Sequence, residues 1–134
     1  MTAESSGIPI ACFAARALDV PALYAKKFQT GYVSGDVYET EVHSFSQNKA
    51  YTLRVSKNCL AEDDVLLIVD DFVANGLSLL GLCEIASMAH AEVAGVAVVF
   101  EKAYKEGSDL LRQMGIKVES LIRVERIENG EMIL

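Results

Sequence analysis

Two continuous apolar runs organise the second half of the chain, one at Val65, Leu66, Leu67, Ile68 and Val69 and one over 93–100. Strands covered on both faces read this way. Between them lies a loop with Gly76, and then Leu79, Leu82, Cys83 and Ala86 recur at helical spacing, which predicts a helix from about Leu77. Leu110, Leu111 and Met114 predict another helix, and 118–124 another strand. Strand, helix, strand, helix, strand predicts an α/β fold: a parallel sheet flanked by helices, with 65–69 and 93–100 as neighbouring inner strands.

The first half is patterned differently. Tyr51, Leu53 and Val55 alternate with Thr52, Arg54 and Ser56, the signature of a half-buried strand. Residues 37–45 form a weaker partner across the polar turn 46–49, so an antiparallel hairpin is expected. Residues 8–18 are rich in Ala and predict a short buried helix, with Pro9 in its first turn. Pro21 then precedes an expected short strand at 22–25. The polar stretch 26–36, with Gly31 and Gly35, predicts a mobile loop. Asn129-Gly130 marks a turn between two short C-terminal segments. Residues 1–4 are too few for the central strand expected ahead of the first helix.

Composition bounds the class. At 134 residues, 51% hydrophobic and 23% charged, this is one globular domain. A net charge of −7 argues against a general nucleic-acid or membrane-surface binder, which needs a basic face. Any anion must be held by a local site. No apolar run approaches the ~20 residues of a membrane span. Met1-Thr2-Ala3-Glu4 lacks the basic start of a signal peptide. Cys12, Cys59 and Cys83 form no paired motif, so a reduced, cytoplasmic protein without a disulfide framework or zinc site is expected. Cys12 and Cys83 fall on apolar helical faces and are expected in the core. His43 and His90 stand apart, without metal-ligand spacing, and surface or packing roles are expected. The acidic cluster at 62–64 reads as a solvated loop.

The chemistry concentrates in 65–78. Asp70 and Asp71 end an apolar strand, and a short loop with Gly76 leads to a helix. Open parallel sheets bind ligands at the carboxyl ends of their strands. A helix start offers unpaired N–H groups and the positive end of the dipole to a phosphate. The Ser78 hydroxyl adds a donor. Two carboxylates repel phosphate and suit hydroxyls, such as those of a ribose. The combination asks for a sugar phosphate.

The run Val69-Asp70-Asp71-Phe72-Val73-Ala74-Asn75-Gly76 resembles the phosphoribosyl pyrophosphate (PRPP) signature of type I phosphoribosyltransferases, most closely that of the bacterial xanthine-directed group. The resemblance spans nearly the whole chain. Glu4-Ser5-Ser6-Gly7-Ile8 is similar to the family's pyrophosphate loop, and Tyr24-Ala25-Lys26-Lys27 to its strand with a basic pair. Val99-Phe100-Glu101-Lys102 and Val118-Glu119-Ser120-Leu121 match two later segments. The resemblance implies PRPP binding by Asp70, Asp71, Ala74, Asn75, Gly76, Leu77 and Ser78. It implies pyrophosphate binding by Ser5, Ser6, Gly7, Lys26 and Lys27, and purine binding by Lys102. A lysine offers donors only, which suits a 6-oxo purine over a 6-amino one. Leu77 and Ser78 stand where the family commonly has Gln and Ala, and Ala74 where some relatives carry an Asp general base. No catalytic residue is assigned.

The implied reaction moves phosphoribosyl from PRPP to N9 of xanthine or a related 6-oxopurine, giving XMP and pyrophosphate in purine salvage. Mg²⁺ would enter chelated by PRPP, the transition state would be oxocarbenium-like, and the Gly31/Gly35 loop would close over the site. The resemblance also implies a homodimer. The family has a longer N-terminal region ahead of the point matching Met1, so an N-terminally truncated phosphoribosyltransferase-like domain is expected. Two other readings stand beside the enzyme: a regulatory domain of the same fold that senses PRPP or a nucleotide, and an inactive truncated remnant.

Overall fold

The computed structural model describes residues 1–28, 35–44 and 49–134. Gly31 and most of the 46–49 turn lie outside the described residues. The chain runs β1 (Thr2–Ala3), α1 (Gly7–Leu18), β2 (Tyr24–Phe28), β3 (Val37–Ser44), β4 (Lys49–Ser56) and β5 (Val65–Val73). It continues through α2 (Leu77–Met88), β6 (Glu92–Lys102), α3 (Gly107–Gln113) and β7 (Val118–Val124), and closes with β8 (Arg126–Glu128) and β9 (Glu131–Ile133).

The apolar runs form a parallel sheet in the order β5-β6-β7, with Ile68 opposite Val96 and Val96 opposite Val118. Helices α2 and α3 connect these strands, as the alternating pattern predicts. The period-2 segment pairs antiparallel with its expected partner, Thr40 opposite Leu53, within a second sheet ordered β1-β2-β4-β3. The Asn129-Gly130 turn joins the antiparallel β8 and β9.

Three boundaries differ from expectation. Residues 1–4 do contain a strand. Thr2 and Ala3 pair with Tyr24 and Ala25, while Met1 donates to the Leu67 carbonyl and accepts from the Val69 N–H. Pairing on both sides supports a strand too short to stand alone, and Thr2 is wholly buried. The strand expected at 22–25 lies instead at Tyr24–Phe28, so 26–28 are strand rather than loop, paired with β4. The strand expected to end at 69 continues to Val73 beside β6.

Helix α2 is apolar on most sides because it packs between the two sheets; Leu79, Leu82 and Ile85 are almost fully buried with Leu53, Ile68 and Val96. The Cys83 thiol lies in this core, and burial pushes its pKa up to about 11. Cys12 does not: it is exposed on α1, where only Gly7 and Ala11 are buried. His43 and His90 are exposed. Among the described residues, no helix is long and apolar enough to cross a membrane.

Candidate active site

The acid pair does not sit at an exposed strand end. Because β5 runs on to Val73, Asp70 lies inside it and is only 8% exposed, while Asp71 is half-buried. Burial pushes the Asp70 pKa up to about 6. The charge of Asp71 adds to that rise, whereas the Asp71 backbone N–H, 2.9 Å from Asp70 Oδ1, and the charge of Lys27 oppose it. Asp70 is a carboxylate held with few donors.

The loop after β5 delivers the chain to α2 through Gly76, whose φ of +74° lies in the left-handed region that glycine enters freely. No side chain caps α2, and no acid occupies its first turn. Its first N–H groups are therefore available to an anion. The loop is braced from behind by Gly107, which donates to the Ala74 carbonyl at 2.9 Å. A Cβ on Gly107 would lie 2.4 Å from both Ala74 O and Gly76 N.

A cavity of about 310 Å³ opens here, lined by Asp70, Asp71, Ala74, Asn75, Gly76, Leu77 and Ser78, together with Ser6 and Lys27. The two segments meet because Gly7 admits Asp70: a Cβ on Gly7 would lie 2.8 Å from Asp70 Oδ1. Glu4 Oε1 accepts from the Lys27 backbone N–H and ties the first loop to β2. Ser5 is exposed and does not line the cavity. Lys26 is separated from Lys27 by strand alternation and lines another groove with Arg54, its partner in register. Lys102 does not line the cavity; its ammonium lies 4.5 Å from the ring centre of Phe72, which does.

Three residues of this region were given no site role by the sequence. Tyr51 reaches the cavity from β4 and shares a 2.6 Å hydrogen bond with Ser78. Phe72 supplies an exposed aromatic face beside Lys102. Glu101, wholly buried, holds Arg112 through two hydrogen bonds of 2.8 and 3.1 Å, Arg123 at 2.6 Å and Ser120 at 3.0 Å. Burial alone would raise its pKa. The hydrogen bonds from Arg112, Ser108 and Ser120 outweigh that and hold it at about 2. The alternation of β4 places Tyr51 on the same face as Leu53, but does not set that face against α2.

The family profile described as phosphoribosyl transferase domain matches residues 1–125. The chain belongs to the phosphoribosyltransferase family. Among relatives of this family, a protein of Ruminiclostridium cellulolyticum named xanthine phosphoribosyltransferase is 44% identical over 98% of this chain and 70% of its own length. One of Clostridium novyi with the same name is 45% identical over 99% of this chain and 70% of its own. In three dimensions the chain is similar to the adenine phosphoribosyltransferase of Giardia lamblia complexed with 9-deazaadenine, with a TM-score of 0.78 and 26% identity over 93% of this chain and 68% of that one. The chain is thus similar in sequence to proteins named for xanthine and in fold to one named for adenine.

Proposed function

We propose that this chain transfers the phosphoribosyl group of PRPP to N9 of a 6-oxopurine, xanthine in the first place, giving XMP and pyrophosphate. The observation that carries the reading is one cavity in which a buried, donor-poor carboxylate faces an uncapped helix N-terminus. The naming of the relatives supports xanthine as the base.

Each residue then has a physical task. The backbone amides at 76–78 hold the 5′-phosphate, where the helix dipole favours negative charge. Asp70 and Asp71 accept from the ribose hydroxyls. Ser6 and Lys27 face the departing pyrophosphate, and Gly7 lets their segment close on Asp70; Lys26, in its other groove, and the exposed Ser5 take no part in this cavity. Lys102, oriented by the Phe72 ring, donates to the 6-oxo group. Covalent catalysis is not needed; positioning and charge stabilisation carry the reaction.

Among the described residues, no three His, Cys, Asp or Glu cluster as a metal cage. The carboxylates of Asp70 and Asp71 are hard oxygen donors and would fit a Mg²⁺ carried in by PRPP. Bound there, it would offset charge on the leaving pyrophosphate. A homodimer and a cytoplasmic location complete the proposal on family resemblance, with sedimentation and cell fractionation as their checks.

The test is nucleotide formation from xanthine, hypoxanthine, guanine and adenine with PRPP and Mg²⁺. Xanthine should be preferred and adenine poorest. Lys102→Met should lower 6-oxopurine affinity ~10- to 150-fold, as expected for a charge-assisted hydrogen bond of ~1.5–3 kcal/mol. Adenine should be barely affected. A preference for adenine, or a uniform loss across bases in Lys102→Met, contradicts the purine assignment.

A further inference from the structure

Ser78 stands where the family commonly has Ala, and its hydroxyl meets the phenol of Tyr51 at 2.6 Å inside the cavity. Both hydroxyls line that cavity beside the uncapped start of α2. We propose that Tyr51 is a positioning residue for phosphate, acting through Ser78; the inference rests on the PRPP reading above.

Hydrogen counting supports the role. Each hydroxyl carries one proton and can accept. A phosphate dianion only accepts. When Tyr51 donates to Ser78 Oγ, the Ser78 proton is left for the phosphate, with the hydroxyl held in one orientation. Without Tyr51, the Ser78 hydroxyl is free to rotate, and its proton is no longer aimed at the phosphate. The arrangement also spans the sheet. Tyr51 lies two residues along β4 from Leu53, the register partner of Lys27, so Tyr51 and Lys27 are diagonal neighbours on one face. The Lys27 ammonium lies 5.3 Å from the centre of the Tyr51 ring. The ring thus supports the cation of the pyrophosphate end, while the hydroxyl serves the 5′-phosphate end. Tyr51→Phe separates these tasks: it deletes the hydroxyl and keeps the ring.

The experiment is calorimetric titration of wild type, Tyr51→Phe, Ser78→Ala and the double variant with ribose 5-phosphate and, separately, with pyrophosphate and Mg²⁺. Thermal melts and PRPP kinetics accompany it. Tyr51→Phe should weaken ribose 5-phosphate roughly tenfold, the scale of a hydrogen bond to a charged group, and leave pyrophosphate affinity within twofold. The KM for PRPP should rise with kcat little changed. Ser78→Ala should show the same loss, and the double variant no further loss, because both substitutions remove one donor. Unchanged ribose 5-phosphate affinity in Tyr51→Phe overturns the proposal alone. Equal losses for the two ligands, or additive losses in the double variant, also overturn it. A wild type that binds neither ligand overturns the PRPP reading, and the Tyr51 role with it.

Discussion

Two buried carboxylates lie on neighbouring strands of the parallel sheet, Asp70 on β5 and Glu101 on β6. Their exposures are close, 8% and 1%. Their chemistry is opposite: Asp70 is pushed up to about 6 and Glu101 is held at about 2. The difference lies in donors. Glu101 receives hydrogen bonds from α3 and β7 through Arg112, Arg123 and Ser120. Asp70 receives the neighbouring backbone N–H and faces a cavity. A satisfied buried charge is part of the framework, whereas an under-satisfied one is held in readiness for a ligand.

The largest test of this contrast is Glu101→Gln. Removing one side of a buried ion pair commonly costs about 3–5 kcal/mol. Here Arg112 and Arg123 are partly exposed and can turn to water, so we expect about 2 kcal/mol, or a melting temperature lower by roughly 8 °C. A melt that matches wild type would remove Glu101 from the framework.

Asp70→Asn should do the reverse. The isosteric amide keeps an acceptor for the Asp71 N–H and removes the buried charge. Stability at pH 7.5 should rise by about 1 kcal/mol, discounted for the partial solvent access of the site. PRPP affinity should fall at least tenfold by calorimetry, since a ribose hydroxyl loses a charged acceptor. A lower melting temperature would put Asp70 in the same class as Glu101.

The pH dependence separates the two without a ligand. For Asp70, the folded value of about 6 lies above the ordinary 3.8, so its contribution is full below ~3.8 and lost as pH rises through 6. For Glu101, the folded value of about 2 lies below 4.5, so its contribution is full above ~4.5 and lost as pH falls toward 2. The advantage of Asp70→Asn over wild type should therefore grow from pH 4 to 7. The deficit of Glu101→Gln should shrink from pH 5 to 2. Urea melts at four pH values check both signs. The smallest effect is Ser120→Ala, which removes one neutral donor from Glu101 and should cost about 1 kcal/mol in the same melts.

These two acids also mark what could be read in the sequence. The Asp70 site is local: acids, loop glycine and helix start lie within 70–78, so the residues that line the cavity there could be picked out together, and the sugar phosphate proposed for them follows from their order. The alternating strands and continuous apolar runs were legible for the same reason, since each is a property of consecutive residues. Glu101 is different because Arg112, Ser120 and Arg123 come from later elements, 11 to 22 residues on. Tyr51 meets Ser78 across 27 residues, where strand periodicity says nothing about which helix arrives. Thr2–Ala3 became a strand through neighbours on both sides. Cys12 was misplaced because α1 is apolar on several faces, and spacing alone does not choose the covered one.

The backbone contact between Gly76 and Gly107 has a consequence for anyone who would transplant this site. A Cβ on Gly76 would meet Gly107 Cα at 2.9 Å, and one on Gly107 would meet the Gly76 nitrogen at 2.4 Å. Each glycine occupies the room the other would need to become anything else. The loop after β5 and the loop after β6, which follows Lys102, are therefore one exchange unit. A graft that imports the first loop into another scaffold without the second would bring its own side chains into that seam and spread the helix start. The smallest transferable module is the interlocked pair of loops, with the two glycines as its clasp.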